Sequence, residues 1–202
     1  MKDSGPAPSE SPAPAGAESK EGERRLIARC RAGDTRAFAL LVDRYRARAY
    51  GLALRLVRSP SDAEEVAQDA FVRAWRSLAD FRGDASFGTW LYRIVWRRAL
   101  DRSAVLRTRQ GRETGLEDAP VTAGAMGPGE GGTSASDWAR LTEGLTDVQR
   151  AVVTLFYYED LSVKDVAGIL ELPEGTVKTH LSRARAALRE RFDPTGEGRR
   201  AL

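Results

Sequence analysis

One cysteine, Cys30, and one histidine, His180, stand in a chain of 202 residues. A lone cysteine excludes an internal disulfide and offers no metal-ligand spacing. Cys30 follows Leu26 and Ile27 at helical spacing, which reads as a small buried apolar residue rather than a reactive thiol. With one histidine, a His-bearing catalytic or metal site has no support, and no loop gathers Asp and Glu at ligand spacing. No enzyme, metal or cofactor is expected. No apolar run approaches the ~20 residues of a membrane span, and no apolar signal core stands near Met1. The expectation is a soluble cytoplasmic protein with no direct membrane insertion. A period of two is also missing throughout, so the fold class expected is all-α.

The net charge of +3 is too small to define a partner, but acids and arginines sit in separate blocks. The stretch from Phe81 to Arg102 is the most distinctive. Phe81-Arg-Gly-Asp reads as a turn, because Gly83 tolerates positive φ and Asp84 can bond nearby backbone. From about Ser86 the pattern turns helical, with Phe87, Leu91, Ile94 and Val95 on one apolar stripe. Tyr92, Arg93, Trp96 and Arg97 share another face. Between Trp90 and Arg109 stand six arginines and one acid, Asp101. Flat rings interleaved with guanidinium groups suit single-stranded nucleic acid, by stacking on bases and holding phosphates. A solvated basic helix with half-buried rings fits the same pattern. On helical geometry Trp96 is the ring that faces outward, and Trp90 the one that packs inside.

Two small helical domains joined by a flexible linker are expected. Residues 1–21 are rich in Pro, Ala, Ser and Gly and read as a disordered tail. Residues 22–107 form the first domain. Its first helix runs from about Glu23 to Ala32, with Gly33 as its stop and Asp34 as the next cap. A long helix follows, carrying Phe38, Leu41, Tyr45, Ala49, Leu52 and Leu56. After Ser59-Pro60, Ser61 and Glu64 make a capping box for a third helix. That helix opens with Asp62, Glu64, Glu65 and Asp69. The helix dipole accounts for part of this acidity, and a surface that docks a basic partner is a further reading. Residues 108–136, with seven glycines, form the linker. Residues 137–192 form the second domain, and 193–202 a frayed tail. In the second domain Ser136, Thr146 with Gln149, and Ser162 are candidate caps. Two short helices joined by Leu172-Pro-Glu-Gly175 read as a helix-turn-helix. Its second helix holds Val177, Leu181, Ala184 and Leu188 inward. Lys178, Thr179, Ser182, Arg183 and Arg185 face outward, as donors for phosphates and base edges. A simple αα-hairpin with a solvated basic face is the alternative. His180 sits on the outer side, as a phosphate contact or a solvated side chain.

Three motifs in order carry a family resemblance. Asp62-Ala-Glu-Glu-Val-Ala-Gln-Asp-Ala-Phe-Val-Arg-Ala-Trp75, then Phe81-Arg-Gly-Asp84, then Thr89-Trp-Leu-Tyr-Arg-Ile94 resemble region 2 of the extracytoplasmic-function (ECF) sigma factors. Leu145-Thr146, Glu159-Asp-Leu-Ser162 and Gly175-Thr-Val-Lys-Thr-His-Leu-Ser-Arg-Ala-Arg185 resemble region 4 of the same family. The resemblance implies a dissociable specificity subunit of bacterial RNA polymerase, without cofactors. Asp62, Glu65, Gln68, Asp69 and Phe71 match the surface that docks on the β′ clamp helices of the core, and region 4 implies contact with the β flap. Phe81, Arg82, Asp84, Thr89, Tyr92, Arg93, Trp96, Arg97 and Arg98 fall in the part that reads and melts the −10 element of promoter DNA. Thr176, Lys178, Thr179, His180, Ser182, Arg183 and Arg185 fall in the helix that reads the −35 element. An anti-sigma factor is implied as a further partner. Trp96-Arg97-Arg98 departs from the family, where many members carry an Asn, so the −10 preference is expected to differ. The alternative, a helix-turn-helix regulator acting on duplex DNA alone, leaves the region 2 motifs without a role. Promoter boxes in the family lie about 55–65 Å apart at ~34 Å per turn. A 29-residue coil averages about 30 Å and extends to about 95 Å, so the linker spans them when pulled out.

Overall fold

A computed structural model describes residues 15–112 and 135–192. Among them every regular element is helical and there is no strand, as the missing period of two requires. The chain divides after Leu41 into two compact units.

In the first unit, helix α1 runs Ala15–Arg31. It starts well before the expected Glu23, because Ala15, Ala17, Glu18 and Lys20 are good helix formers. The low-complexity reading of residues up to 21 missed that propensity. Gly33, at φ 88°, ends α1 as expected. Asp34 then caps α2 (Thr35–Val57), its Oδ1 accepting from the backbone N–H of Arg36 at 3.0 Å and of Ala37 at 3.1 Å. The Arg29 guanidinium bonds the same carboxylate at 2.7 Å, which with the Ala37 amide holds its pKa below the usual range. Ile27 and Cys30 are buried, and burial raises the Cys30 thiol pKa.

In the second unit α2 continues, with Tyr45, Ala49, Leu52, Ala53 and Leu56 buried at 3–4 spacing. Helix α3 spans Pro60–Arg76. Its N-cap is Ser59, whose hydroxyl accepts from Asp62 N–H, and not the expected Ser61. Pro60 decides this: it has no N–H to satisfy and its fixed φ suits the first helical position. A 3₁₀ turn at Leu78–Asp80 leads into the loop before α4, Phe87–Arg112. The Ser86 hydroxyl accepts from Thr89 N–H at 3.0 Å and opens this helix. Phe87, Leu91, Val95 and Ala99 repeat every fourth residue and are all buried. Gly88 lets α4 approach α2: a Cβ there would meet Tyr45 Cε1 at 2.9 Å. Helix α4 outruns the expected Arg107, since Arg109, Gln110 and Arg112 are straight-chain helix formers. Residues 1–14, 113–134 and 193–202 lie outside the described residues, and with them most of the expected tail, most of the linker and the frayed end.

After residue 134, α5 (Ala135–Leu141) begins one residue ahead of the expected Ser136 cap. Thr146 and Gln149 form the expected capping box of α6, Asp147–Val153. The helix then widens into a π turn, Thr154–Tyr158. Ser162 caps α7, Val163–Leu170, by accepting from Asp165 N–H at 3.1 Å. Glu171 takes the left-handed conformation at φ 57°, and α8 starts at Glu174 and runs to Phe192. Trp138 packs on Leu145, Val153 and Ala184, tying α5 and α6 to α8. Helix α4 packs on both α3 and α7, so it is shared between the helices before residue 113 and those after residue 134.

Candidate nucleic-acid interface

Helices α7 and α8 form the helix-turn-helix. Val177, Leu181 and Ala184 are buried, as their spacing required. On the other side of α8, Lys178, Thr179, Ser182, Arg183 and Arg185 are exposed, with Thr176 and His180 at the edge. Thr179 Oγ1 donates back to Gly175 O at 2.9 Å, and Arg185 Nε donates to Tyr157 Oη at 2.5 Å. Lys178, Ser182 and Arg183 therefore form the open centre of this face.

The second candidate region begins at the loop before α4. Arg82 and Asp84 are exposed on it, and Gly83 has the expected positive φ of 82°. Phe81 is buried, in a ring cluster with Phe87 at 6.1 Å and Trp90 at 5.1 Å. Thr89 is buried too, sharing a 2.9 Å hydroxyl bond with Ser86. Along α4 Trp90 packs on the ring cluster as expected, but Trp96 is not the outward ring expected. Trp90 is half-buried at the edge of the ring cluster, and Trp96 is 6% exposed. Tyr92 is buried as well, its hydroxyl donating to Glu159 Oε2 at 2.7 Å. Arg93 lies against α7, with Nη2 3.7 Å from where a Cβ of Gly168 would sit. Arg97 is exposed and pairs with Glu171 at 2.5 Å. Arg98 is half-buried and pairs with Asp101 and Asp69. The face expected to be open is thus covered by the turn after α6 and by α7. The sequence pattern locates the face but not a partner helix some seventy positions away.

The third region is the acidic start of α3. Asp62 is buried and bonded by Arg102, whose Nε donates to Asp62 Oδ1 at 2.7 Å. The same guanidinium donates to Glu65 Oε1 at 3.1 Å. Asp69 accepts from Arg73 at 2.8 Å and faces Arg98 at 3.8 Å. Phe71 is buried. Only Glu65 and Gln68 of the expected docking set are exposed, with Asp69 half so. The excess of acids over capping needs has an intramolecular reason: α4 lays Arg98 and Arg102 along them.

Several residues at the contact carry no sequence signal of their own. Arg150 is buried, donating to Leu56 O at 3.2 Å and Leu145 O at 3.1 Å. Arg55 stacks on the Tyr158 ring at 3.2 Å, and burial lowers its pKa. Arg58 donates to Thr142 O at 2.9 Å. Glu159 has its pKa raised, chiefly by burial, while Tyr92, Arg48 and Arg55 counter the shift. The Tyr92 hydroxyl is pushed far above its usual pKa by burial and by Glu159. Among the described residues no His, Cys, Asp and Glu group could hold a metal, and no helix is long and apolar enough to cross a membrane.

Described elements that are all helical and include a helix-turn-helix with a polar outer face are built like a DNA-binding protein. The family described as Sigma-70 region 2 matches residues 41–112, and Sigma-70, region 4 matches residues 137–188. The RNA polymerase sigma-H factor of Pseudomonas aeruginosa is 36% identical over 186 residues, covering 87% of this chain and 96% of that protein. The ECF RNA polymerase sigma-E factor of Haemophilus influenzae is 33% identical over 188 residues, covering 85% and 96%. The structure of CnrH in complex with the cytosolic domain of CnrY superposes with a TM-score of 0.63 at 28% identity, covering 87% of this chain and 99% of CnrH. The chain belongs to the sigma-70 family of RNA polymerase sigma factors, in its ECF branch. Its activity is that of a transcription initiation factor, which binds the polymerase core and promoter DNA.

Proposed function

We propose that α8 reads the −35 element through Lys178, Ser182 and Arg183. The face of α4, with the loop 81–89, then engages and opens the −10 element. Glu65, Gln68 and Asp69 of α3 meet the core polymerase. On this reading residues 22–107 and 137–192 are the two working domains, joined by 108–136. The factor is cytoplasmic and does no chemistry of its own, which belongs to the core. An anti-sigma partner is part of the reading, supported by the family resemblance and by the solved complex of CnrH with CnrY. The observation that carries the reading is the division of α8. Val177, Leu181 and Ala184 are buried, and the opposite side offers cations and hydroxyls to solvent with no bulky apolar group.

The test is promoter binding and run-off transcription with core polymerase, using Lys178→Ala and Arg183→Ala over a range of salt. A residue that holds only phosphate lowers affinity evenly across sequences and reduces the salt slope by about one. A residue that reads a base relaxes preference at one position by roughly 1–3 kcal/mol. Wild-type binding in both variants would move the reader helix elsewhere.

A further inference from the structure

Tyr157 stands 51% exposed in the π turn Thr154–Tyr158, so it adds little to the core. Its partners lie on the DNA-facing helix. The Tyr157 hydroxyl accepts from Nε of Arg185 at 2.5 Å, and the ring centre lies 5.7 Å from the carbon of that guanidinium. Phe156 steadies the ring, edge to face at 5.0 Å. Arg185 and Tyr157 are both exposed, so each could bond water instead, and their contact does little for stability.

The form of the bond shows what it leaves available. A guanidinium carries five N–H donors in a planar fork and can grip a phosphate with two of them at once. Tyr157 takes Nε alone. Among the described residues the terminal nitrogens of Arg185 have no partner. The arginines of α4 differ: Arg97, Arg98 and Arg102 each meet a carboxylate. Arg185 is held by a neutral oxygen, and its charge stays uncompensated.

The place on α8 is the second observation. Arg185 follows Lys178 by seven residues and Ser182 by three, which puts the three on one stripe. Seven residues advance about 10 Å along a helix. A recognition helix sends its first turns to base edges, so Arg185 falls where α8 leaves the groove and passes the DNA backbone.

We propose that Tyr157 is a positioning residue for DNA binding: it holds the Arg185 guanidinium by one nitrogen and leaves the terminal pair for one backbone phosphate, at the edge of the site built on Lys178, Ser182 and Arg183. The proposal rests on the reading of α8 as the −35 helix. Arg185 supplies the charge and Tyr157 supplies the order. A loose surface arginine gives up rotamer freedom when it binds, and one already held gives up less. A phosphate contact fixes register and carries no sequence information, which separates this pair from the base-reading centre.

The test uses the full chain with Arg185→Ala, Tyr157→Phe and the two combined, and Lys178→Ala for reference. Tyr157→Phe keeps the ring and its contact with Phe156 and loses only the oxygen. Anisotropy with a labelled duplex DNA pool of random sequence reads affinity over a range of salt, and circular dichroism checks helix content. Arg185→Ala should weaken binding and reduce the salt slope by about one. Tyr157→Phe should weaken binding about threefold at unchanged helicity, as fits the freeing of one side chain, and should add nothing in the Arg185→Ala background. An equal loss in both backgrounds overturns the positioning role, and so does wild-type or tighter binding by Tyr157→Phe alone. A wild-type slope in Arg185→Ala beside a weakened Lys178→Ala overturns the phosphate contact and leaves the α8 reading standing. Wild-type binding in both Arg185→Ala and Lys178→Ala overturns the α8 reading itself, and the role of Tyr157 with it.

Discussion

On the side of α3, helix α4 closes acids that lie close in sequence to its own half: Arg102 bonds Asp62 and Glu65, and Arg98 faces Asp69, over a bed that includes Val66, Ala70 and Val95. On the side of α7 it meets groups that lie some seventy residues away, through single bonds from Tyr92 and Arg97, and the buried Arg93 Nε there lacks a hydrogen-bond partner. The first contact satisfies its charges within one half and holds that half together. The second resembles the contacts between domains of one chain, polar and modest, for which relative motion is the default. One helix thus serves as a core element on one side and a polar contact surface on the other.

The comparison breaks most visibly at Phe87. Its ring is fully buried, 5.3 Å from Tyr45 and 5.6 Å from Trp90. Phe87→Ala should lower the unfolding free energy by about 4 kcal/mol in urea titration, from lost burial and the cavity left behind. A loss under about 1 kcal/mol would mean that this cluster does not hold the first half together.

A smaller effect separates the two arginines that α4 sends to opposite sides. Arg102→Ala removes one cation from the Asp62 carboxylate, whose side chain is 10% exposed. About 2 kcal/mol of stability should go, less than for a fully buried pair because Arg102 itself reaches solvent. Arg97→Ala breaks a pair in which both side chains are more than half exposed, 56% and 52%. Its effect on stability should stay below about 0.5 kcal/mol. Equal losses in the two variants, measured side by side in urea, would erase the distinction between the seams.

Much of the fold was legible because helices announce themselves locally. Asp34, Thr146 and Ser162 cap where their sequence neighbours require, and the inward sides of α2 and α8 follow their 3–4 spacing. The departures share one cause. Acids on α3 and arginines on α4 each looked like a surface for some outside partner, because nothing in a sequence says that Arg102 returns to Asp62. Trp96 looked open for the same reason: helical spacing says which residues share a face and not what covers it. The cap of α3 is the exception, since Pro60 is a local cue in the sequence itself and favours Ser59 over Ser61. Trp90 packs on Phe81 and Phe87 as its place on the helix suggests, and only the burial of Trp96 escaped the helical spacing.

The finest test of the contrast is its response to pH, and it rests on Glu159. Burial raises the pKa of this carboxyl in the closed chain, against the hydrogen bond from Tyr92 and the charges of Arg48 and Arg55. Those three groups face it from α4 and α2. In an opened chain the carboxyl meets water and returns to its ordinary range. A group whose pKa is higher in the closed form binds protons more tightly there, so closure is favoured as pH falls through the interval between the two values. Above that interval the charged carboxylate opposes closure in full. A gap of one pH unit between the two values is worth about 1.4 kcal/mol, so the ratio of closed to open chains should change modestly across the interval. The radius of gyration should therefore shrink slightly between neutral and mildly acid pH. Glu159→Gln keeps an acceptor for the Tyr92 hydroxyl and has no charge to lose, so it should hold the acid-side radius at every pH. A response that survives Glu159→Gln would assign the effect to another group of the chain.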